Sequence, residues 1–150
     1  MAKMTLVTDG SADIAPDLAR ELGIEVVPAL AHVDEKLYRV GVDISDDQIY
    51  ELMSGGHQRV RIGAPSSAVF EQVYRRLIST VDYVFSIHLG TRLGNIHTNA
   101  AVAKARLPAS TTRIELVDSK SASHGLGSVV VAAAHAIRDG AHPDEVSRLI

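Results

Sequence analysis

From Tyr83 onward, short apolar runs and segments of helical period take turns along the chain. Residues 83–89 predict a buried strand, 94–105 a helix, 113–117 a second strand and 123–137 an Ala-rich helix ended near Gly140. Pro143 opens a last helix that is still running at Ile150. Strands separated by helices pair in parallel through right-handed crossovers, with helices packed on both faces of the sheet. The expected fold class is therefore α/β, with a mostly parallel sheet.

The first half is compatible with that plan but less regular. Residues 4–8 predict a short strand, stopped by the turn-formers Asp9, Gly10 and Ser11. Ile14, Leu18 and Leu22 recur at helical spacing, with Pro16 in a first turn and Gly23 ending the run. Residues 24–27 are the next strand. Residues 29–44 carry alternating apolar side chains but no helical period. Ser45 with Gln48 has the form of a capping box for a helix through Met53, closed by Gly55 and Gly56. Pro65 and two serines introduce a helix that lines up Val69, Phe70, Val73, Tyr74 and Leu77 on one face. No repeat, low-complexity tract or linker interrupts the chain. Residues 1–150 read as one domain, and the end inside a helix implies a natural chain that continues.

Composition narrows the function by exclusion. A formal charge of −3 argues against a general nucleic-acid or acidic-membrane binder. With 4% aromatic residues and no Trp, stacking platforms for single strands are not expected either. The absence of cysteine removes disulfides, thiolate metal sites and thiol catalysis, and it suits a reducing compartment. With neither a signal peptide nor a membrane span at the N-terminus, the expectation is a cytoplasmic protein.

In an open parallel sheet, ligands bind outside the carboxyl ends of the strands. Four segments are expected there: 9–11, 63–66, 88–95 and 118–123, all rich in Gly, Ser, Thr or Asn. They lead into helix N-termini, whose free N–H groups favour an anion, although the same residues are ordinary caps and turn-formers. Gly125-Leu126-Gly127 has a partial dinucleotide pattern. Its third glycine position is Val130, so the glycines read as close-packing positions and no cofactor is expected. The seven histidines show no metal-ligand spacing. His88, ending an apolar strand, reads as a capped structural histidine, with a nucleophilic or phosphate-accepting role as the rival. His97 and His124 lie near the same edge, while His32, His57, His135 and His142 look incidental. No Ser-His-Asp order or close carboxylate pair stands out, and Asp9 and Asp118 fit helix capping as well as catalysis.

Taken in order, several segments resemble the DegV family of bacterial fatty-acid-binding proteins. Val7-Thr8-Asp9-Gly10-Ser11-Ala12-Asp13-Ile14 is similar to its opening "TDSTADLP" motif. Residues 23–28 and 38–44 are similar to the segments that follow. Ile62-Gly63-Ala64-Pro65-Ser66 stands where the family has "TSQPS", and residues 86–96 where it has "SIHISSxLSGT". Val117-Asp118-Ser119-Lys120-Ser121-Ala122-Ser123, with Gly125 and Gly127, matches "DSxxxSxGxG". Each motif is short; the ordered set, spread over nearly the whole chain, is specific.

The resemblance implies a non-enzymatic cytoplasmic carrier that encloses a long-chain fatty acid and presents its carboxylate to a separate fatty acid kinase. It also implies a second domain beyond this one that helps close the pocket, so the chain reads as the amino-terminal half. Ligand-binding positions carried over from the motifs are Ile62, Gly63, Thr91, Gly94, Asn95, Asp118, Ser119 and Ser121. Two of them depart from the pattern. The family's carboxylate-binding hydroxyls stand at Ile62 and Gly94, whose side chains cannot donate. Thr91, Asn95 and the backbone N–H groups of residues 94–96 are the available replacements. A different head group and a loss of lipid binding are the alternatives, beside an enzymatic or phosphotransfer role for His88. Without a second domain, Ile62, Leu89, Leu93 and Ile96 are expected to be exposed and to drive self-association.

Overall fold

The computed structural model describes residues 2–56 and 59–150; the expectation for His57 lies outside them. Four strands form the main sheet: β1 (Met4–Asp9), β2 (Ile24–Val27), β6 (Tyr83–His88) and β7 (Arg113–Asp118). Their order is β2-β1-β6-β7, and every pair is parallel, as the alternation of elements requires. Val84 through His88 are all buried, because a strand covered on both faces has no solvent side on which to alternate.

Helices cover both faces. On one, α1 (Pro16–Glu21), α5 (Ser123–Arg138) and α6 (Pro143–Leu149) pack Ala19, Leu126, Val130, Ala133 and Val146 against Leu6, Phe85 and Ile87. On the other, α3 (Ser67–Leu77) and α4 (Ile96–Ala105) pack Phe70, Tyr74, Ile96 and Ala100 against Val7, Val84 and Ile114. Each fully buried Phe, Leu or Ile contributes about 1.5–3 kcal/mol. Gly127 is a close-packing position, as expected: a Cβ there would collide with the Ala12 carbonyl oxygen. Gly125 and Val130 also lie inside α5, not in a phosphate-binding turn.

The first half holds an architecture that the sequence reading did not resolve. Residues 29–44 contain a hairpin, β3 (Leu30–Val33) and β4 (Lys36–Arg39), turned at Asp34 with a positive φ of 52°. A further strand, β5 (Val60–Gly63), pairs antiparallel with β3 to complete a small sheet of order β4-β3-β5. Its core of Ala31, Ile44 and Ile49 is closed by α2 (Asp46–Ser54), which starts with the expected Ser45–Gln48 capping box. Gly63 therefore does not end a strand of the parallel sheet. The segment after it reaches the binding edge from the small sheet instead.

Several boundaries move. α1 is only six residues and follows a short 3-10 turn at Gly10–Ala12. α4 starts at Ile96 rather than Gly94, because Asn95 has left helical geometry at φ −102°, ψ 14°. His142 is not incidental: its side chain accepts from Asp144 N, and it completes a capping box with Glu145 for α6. Among the described residues, no helix is long and apolar enough to cross a membrane.

Candidate functional site

The strand order fixes where a ligand can enter. From β1 the chain turns through α1 to β2 on one side; from β6 it turns through α4 to β7 on the other. The two loops diverge at the carboxyl ends of β1 and β6 and leave a crevice at this switch point, the usual ligand position in such sheets.

A buried polar chain ties the two loops together. Asp9 ends β1 and is fully buried. Its Oδ1 accepts from Ser11 N at 3.0 Å and from the Ser11 hydroxyl. Its Oδ2 accepts from Leu89 N at 3.2 Å and meets His88 Nδ1 at 2.9 Å. His88 Nε2 lies 2.7 Å from Ser86 Oγ, which lies 2.8 Å from the Tyr74 hydroxyl. A carboxylate can only accept, so the proton on this side of the ring sits on Nδ1; in the neutral ring Nε2 then accepts from Ser86. Phe70 packs edge-on to the imidazole, with centroids 5.0 Å apart. Burial pushes the Asp9 carboxyl up, but the bonds from His88 and Ser11 outweigh it and hold it below the usual carboxylate range. Burial also raises the Tyr74 phenol, which stays protonated as a donor.

Ser86, His88 and Asp9 thus have the connectivity of a Ser-His-Asp triad, which linear order hid because Asp9 lies 79 residues from His88. The arrangement is sealed. All three residues are fully buried, and neither Ser86 nor His88 reaches a cleft wall. A nucleophile or phosphate acceptor must meet its substrate, and this histidine meets only protein. The expected satisfied structural histidine is what the structure contains, with the added task of clamping two loops.

Above this clamp lies a cleft of about 740 Å³, within the usual range for small-molecule sites. Gly10 and Ser11 line it from the β1 loop, Leu89 and residues 93–96 from the β6 loop, residues 62–65 from the small sheet, and Ile49, Tyr50 and Met53 from α2. The wall is mainly apolar, and much of it faces solvent: Tyr50 is 67%, Met53 56%, Ile62 57% and Leu93 64% exposed. Of the side chains meeting the cleft, Ser11, Asp46, Asn95 and the hydroxyl of Tyr50 are polar, and none is basic.

The residues singled out from sequence divide into two groups. Ile62, Gly63, Gly94 and Asn95 line the cleft together. Thr91, Asp118, Ser119 and Ser121 do not; they form the turn behind it. Thr91 N and its hydroxyl donate to Asp118 at 3.1 and 2.7 Å, and the Thr91 bond is the main reason that the Asp118 carboxyl lies below its ordinary value. Ser119 Oγ donates to Ser121 O and accepts from Ser121 N, both at 3.2 Å, and Gly90 N donates to Ser121 O. The Thr91 hydroxyl is therefore committed to a carboxylate and is not a free donor. Asn95 is the N-terminal flanking residue of α4, and its side chain makes no capping bond. Among the residues expected to be exposed, Ile62 and Leu93 are, Leu89 is half-buried, and Ile96 is buried in the core under α4.

The family model described as "Uncharacterised protein, DegV family" matches residues 3–150. The chain belongs to the DegV family. The DegV domain-containing protein TTE1491 of Caldanaerobacter subterraneus is 34% identical over 146 residues, covering 97% of this chain and 51% of that protein. A DegV domain-containing 15.5 kDa protein of Staphylococcus aureus is 29% identical over 127 residues, covering 85% of this chain and 88% of that protein. Among solved structures, a DegV protein of Thermus thermophilus described as fatty-acid-binding superposes with a TM-score of 0.85 at 30% identity, over 98% of this chain and 53% of that one. DegV of Bacillus subtilis gives a TM-score of 0.90 at 22% identity, covering 99% and 53%, which supports the fold. The chain thus spans about half the length of TTE1491 and of both solved DegV structures. Solved relatives from Thermus thermophilus, Bacillus subtilis and Thermotoga maritima are described as binding fatty acids.

Proposed function

We propose that this chain is the amino-terminal half of a lipid carrier, binding a long-chain fatty acid or related lipid carboxylate in the switch-point cleft. The carrier does no chemistry in this reading and hands the carboxylate to a separate fatty acid kinase. The observation that carries it is the cleft itself, a mainly apolar trough whose polar residues are few and whose exposed Tyr50, Met53, Ile62 and Leu93 suit an acyl chain. The 30% identical Thermus relative, described as fatty-acid-binding, supports the same ligand class.

The head group would sit at the α4 end. Ile62 and Gly94 offer no side-chain donor, so Asn95 and the unpaired N–H groups of the first turn of α4 would hold the carboxylate. A partly desolvated carboxylate needs such donors to remain charged. The remaining half of the longer relatives' length, folded as a second domain, would cover the exposed wall. The test is native mass spectrometry of protein isolated from cells, followed by titration with hexadecanoate. A co-purified fatty acid and saturable binding are expected. A protein that carries no lipid and does not bind added hexadecanoate overturns the reading. The sealed environment of His88 weighs against the phosphotransfer alternative; no phosphohistidine is expected after exposure to a phosphodonor extract.

A further inference from the structure

Strand β7 ends the main sheet and pairs only with β6. Arg113 N donates to Asp82 O at 2.9 Å and, just past the strand, Ser119 N donates to His88 O at 3.2 Å. Successive residues of a strand turn their N–H and C=O groups to opposite sides, so Arg113, Glu115 and Val117 bond to β6 while Ile114 and Leu116 turn theirs outward. Among the described residues no strand pairs with that outer edge. Proteins guard open edges with short strands, prolines, bulges or charge. β7 runs six residues without proline, and its register with β6 is unbroken from Arg113 to Asp118. Its charges are of both signs, and two of them share a face. The Arg113 guanidinium lies 5.8 Å from the Tyr83 ring centre, and Glu115 accepts from Ser147 of α6 at 2.8 Å. The other end strand, β2, is four residues long and runs into Pro28.

We propose that the β7 edge is an interface between two copies of this chain, paired antiparallel about a two-fold axis at Ile114. Ile114 then exchanges both backbone bonds with its counterpart, and Arg113 lies opposite Glu115 of the second copy, twice over by symmetry. The charges select this register. An axis at Arg113 or at Glu115 sets like charges against each other, and one at Leu116 leaves both residues without an opposite charge. The joined sheet has eight strands, and the two switch-point crevices open at its opposite edges, because the paired strands run in opposite directions. No residue of β7 lines the cleft, so the interface leaves the ligand site free. The inference goes beyond lipid binding and does not depend on it. An edge this short makes a weak, reversible dimer.

The chain has no cysteine, so introduced thiols are unique. Arg113 is exposed and Glu115 half-buried, and circular dichroism checks that the variants fold. Directly opposed residues of this kind have Cα atoms about 4.5 Å apart, within disulfide reach. Either cysteine variant alone sets its thiols two residues out of register, with Cα atoms about 8 Å apart and beyond reach. Mild oxidation of Arg113→Cys mixed with Glu115→Cys should therefore yield a cross-linked pair about five-fold or more above either variant alone. In sedimentation equilibrium, Glu115→Arg and Arg113→Glu should each weaken association about ten-fold, and the double swap should restore it. Equal cross-linking in the mixture and in the single variants overturns the interface. So does a single swap that leaves association unchanged, or a parent that stays monomeric and traps nothing. Association removed only by a cleft-wall change such as Ile62→Lys assigns it to the cleft and overturns the edge as well.

Discussion

At the residue scale, Asp9 is the position on which most depends. One buried carboxylate accepts bonds from Ser11, His88 and Leu89, and so joins the ends of two strands to the loops that line the cleft. Asp9→Asn should destabilise the domain by about 3 kcal/mol, because amide hydrogens then face groups that also donate. The pH dependence follows from its lowered titration. An unfolded Asp binds its proton near pH 3.9 or so, while the folded one resists until lower pH. Its stabilisation is therefore complete above about pH 4 and is lost as pH falls through the depressed value. Chemical denaturation at several pH values should show a shallower acid limb for Asp9→Asn than for the parent. For the ligand, Asn95→Ala should weaken fatty-acid binding roughly ten- to a hundred-fold, the scale of a lost donor to a charged group. Gly94→Ser should strengthen it, since the added Cβ meets only Leu89 Cδ2, at 3.1 Å, a side-chain end that a small rotation moves aside. Thr91→Val should leave affinity nearly unchanged, because its hydroxyl serves Asp118. Isothermal titration of the three variants separates these outcomes.

At the element scale, the approach of α5 to the 3-10 turn after β1 is set by Gly127. Gly127→Ala should cost about 1–3 kcal/mol, read as a lower melting temperature, because the Ala12 carbonyl must give way. The legibility of the sequence also varied by element. Strand β6 was plain since a buried central strand is a nearly unbroken apolar run, and the edge strand β7 since Ile114 and Leu116 alternate with charged Arg113 and Glu115, while α5 and α2 announced themselves by period and capping box. Strand β5 was not legible: Val60-Arg61-Ile62-Gly63 is short, with Arg61 and Ile62 both exposed, so neither alternation nor an apolar run marks it. The cleft was half legible. Its loops follow from strand order, but the contribution of α2 depends on a small sheet whose pairing is nonlocal. The polar chain from Tyr74 to Asp9 was not legible at all, because register alone brings its members together.

At the scale of the whole molecule, the exposed wall is the feature that solution behaviour should report. Tyr50, Met53, Ile62 and Leu93 lie along one cleft and are each more than half exposed, an apolar patch of the kind that drives association. Sedimentation at high protein concentration should show self-association that the double variant Ile62→Lys, Leu93→Glu reduces. A purely monomeric parent would show that the patch is too dispersed to act.

The position of β1 at the centre of the sheet has a temporal consequence. Its partner β6 lies far along the chain, with Met4 paired to Tyr83, whereas β3, β4 and β5 pair over shorter separations, Leu30 with Arg39 and with Gly63. On a ribosome that emits the chain from the N-terminus, the small sheet can assemble while β1 still waits for its neighbour. Loop-closure entropy makes such distant parallel pairing slow. Docking of β6 against β1 is therefore expected to be slow, to be checked by the refolding rate of a Val84→Ala variant, and the same event creates the Asp9–His88 contact. The crevice and its brace thus form in one step.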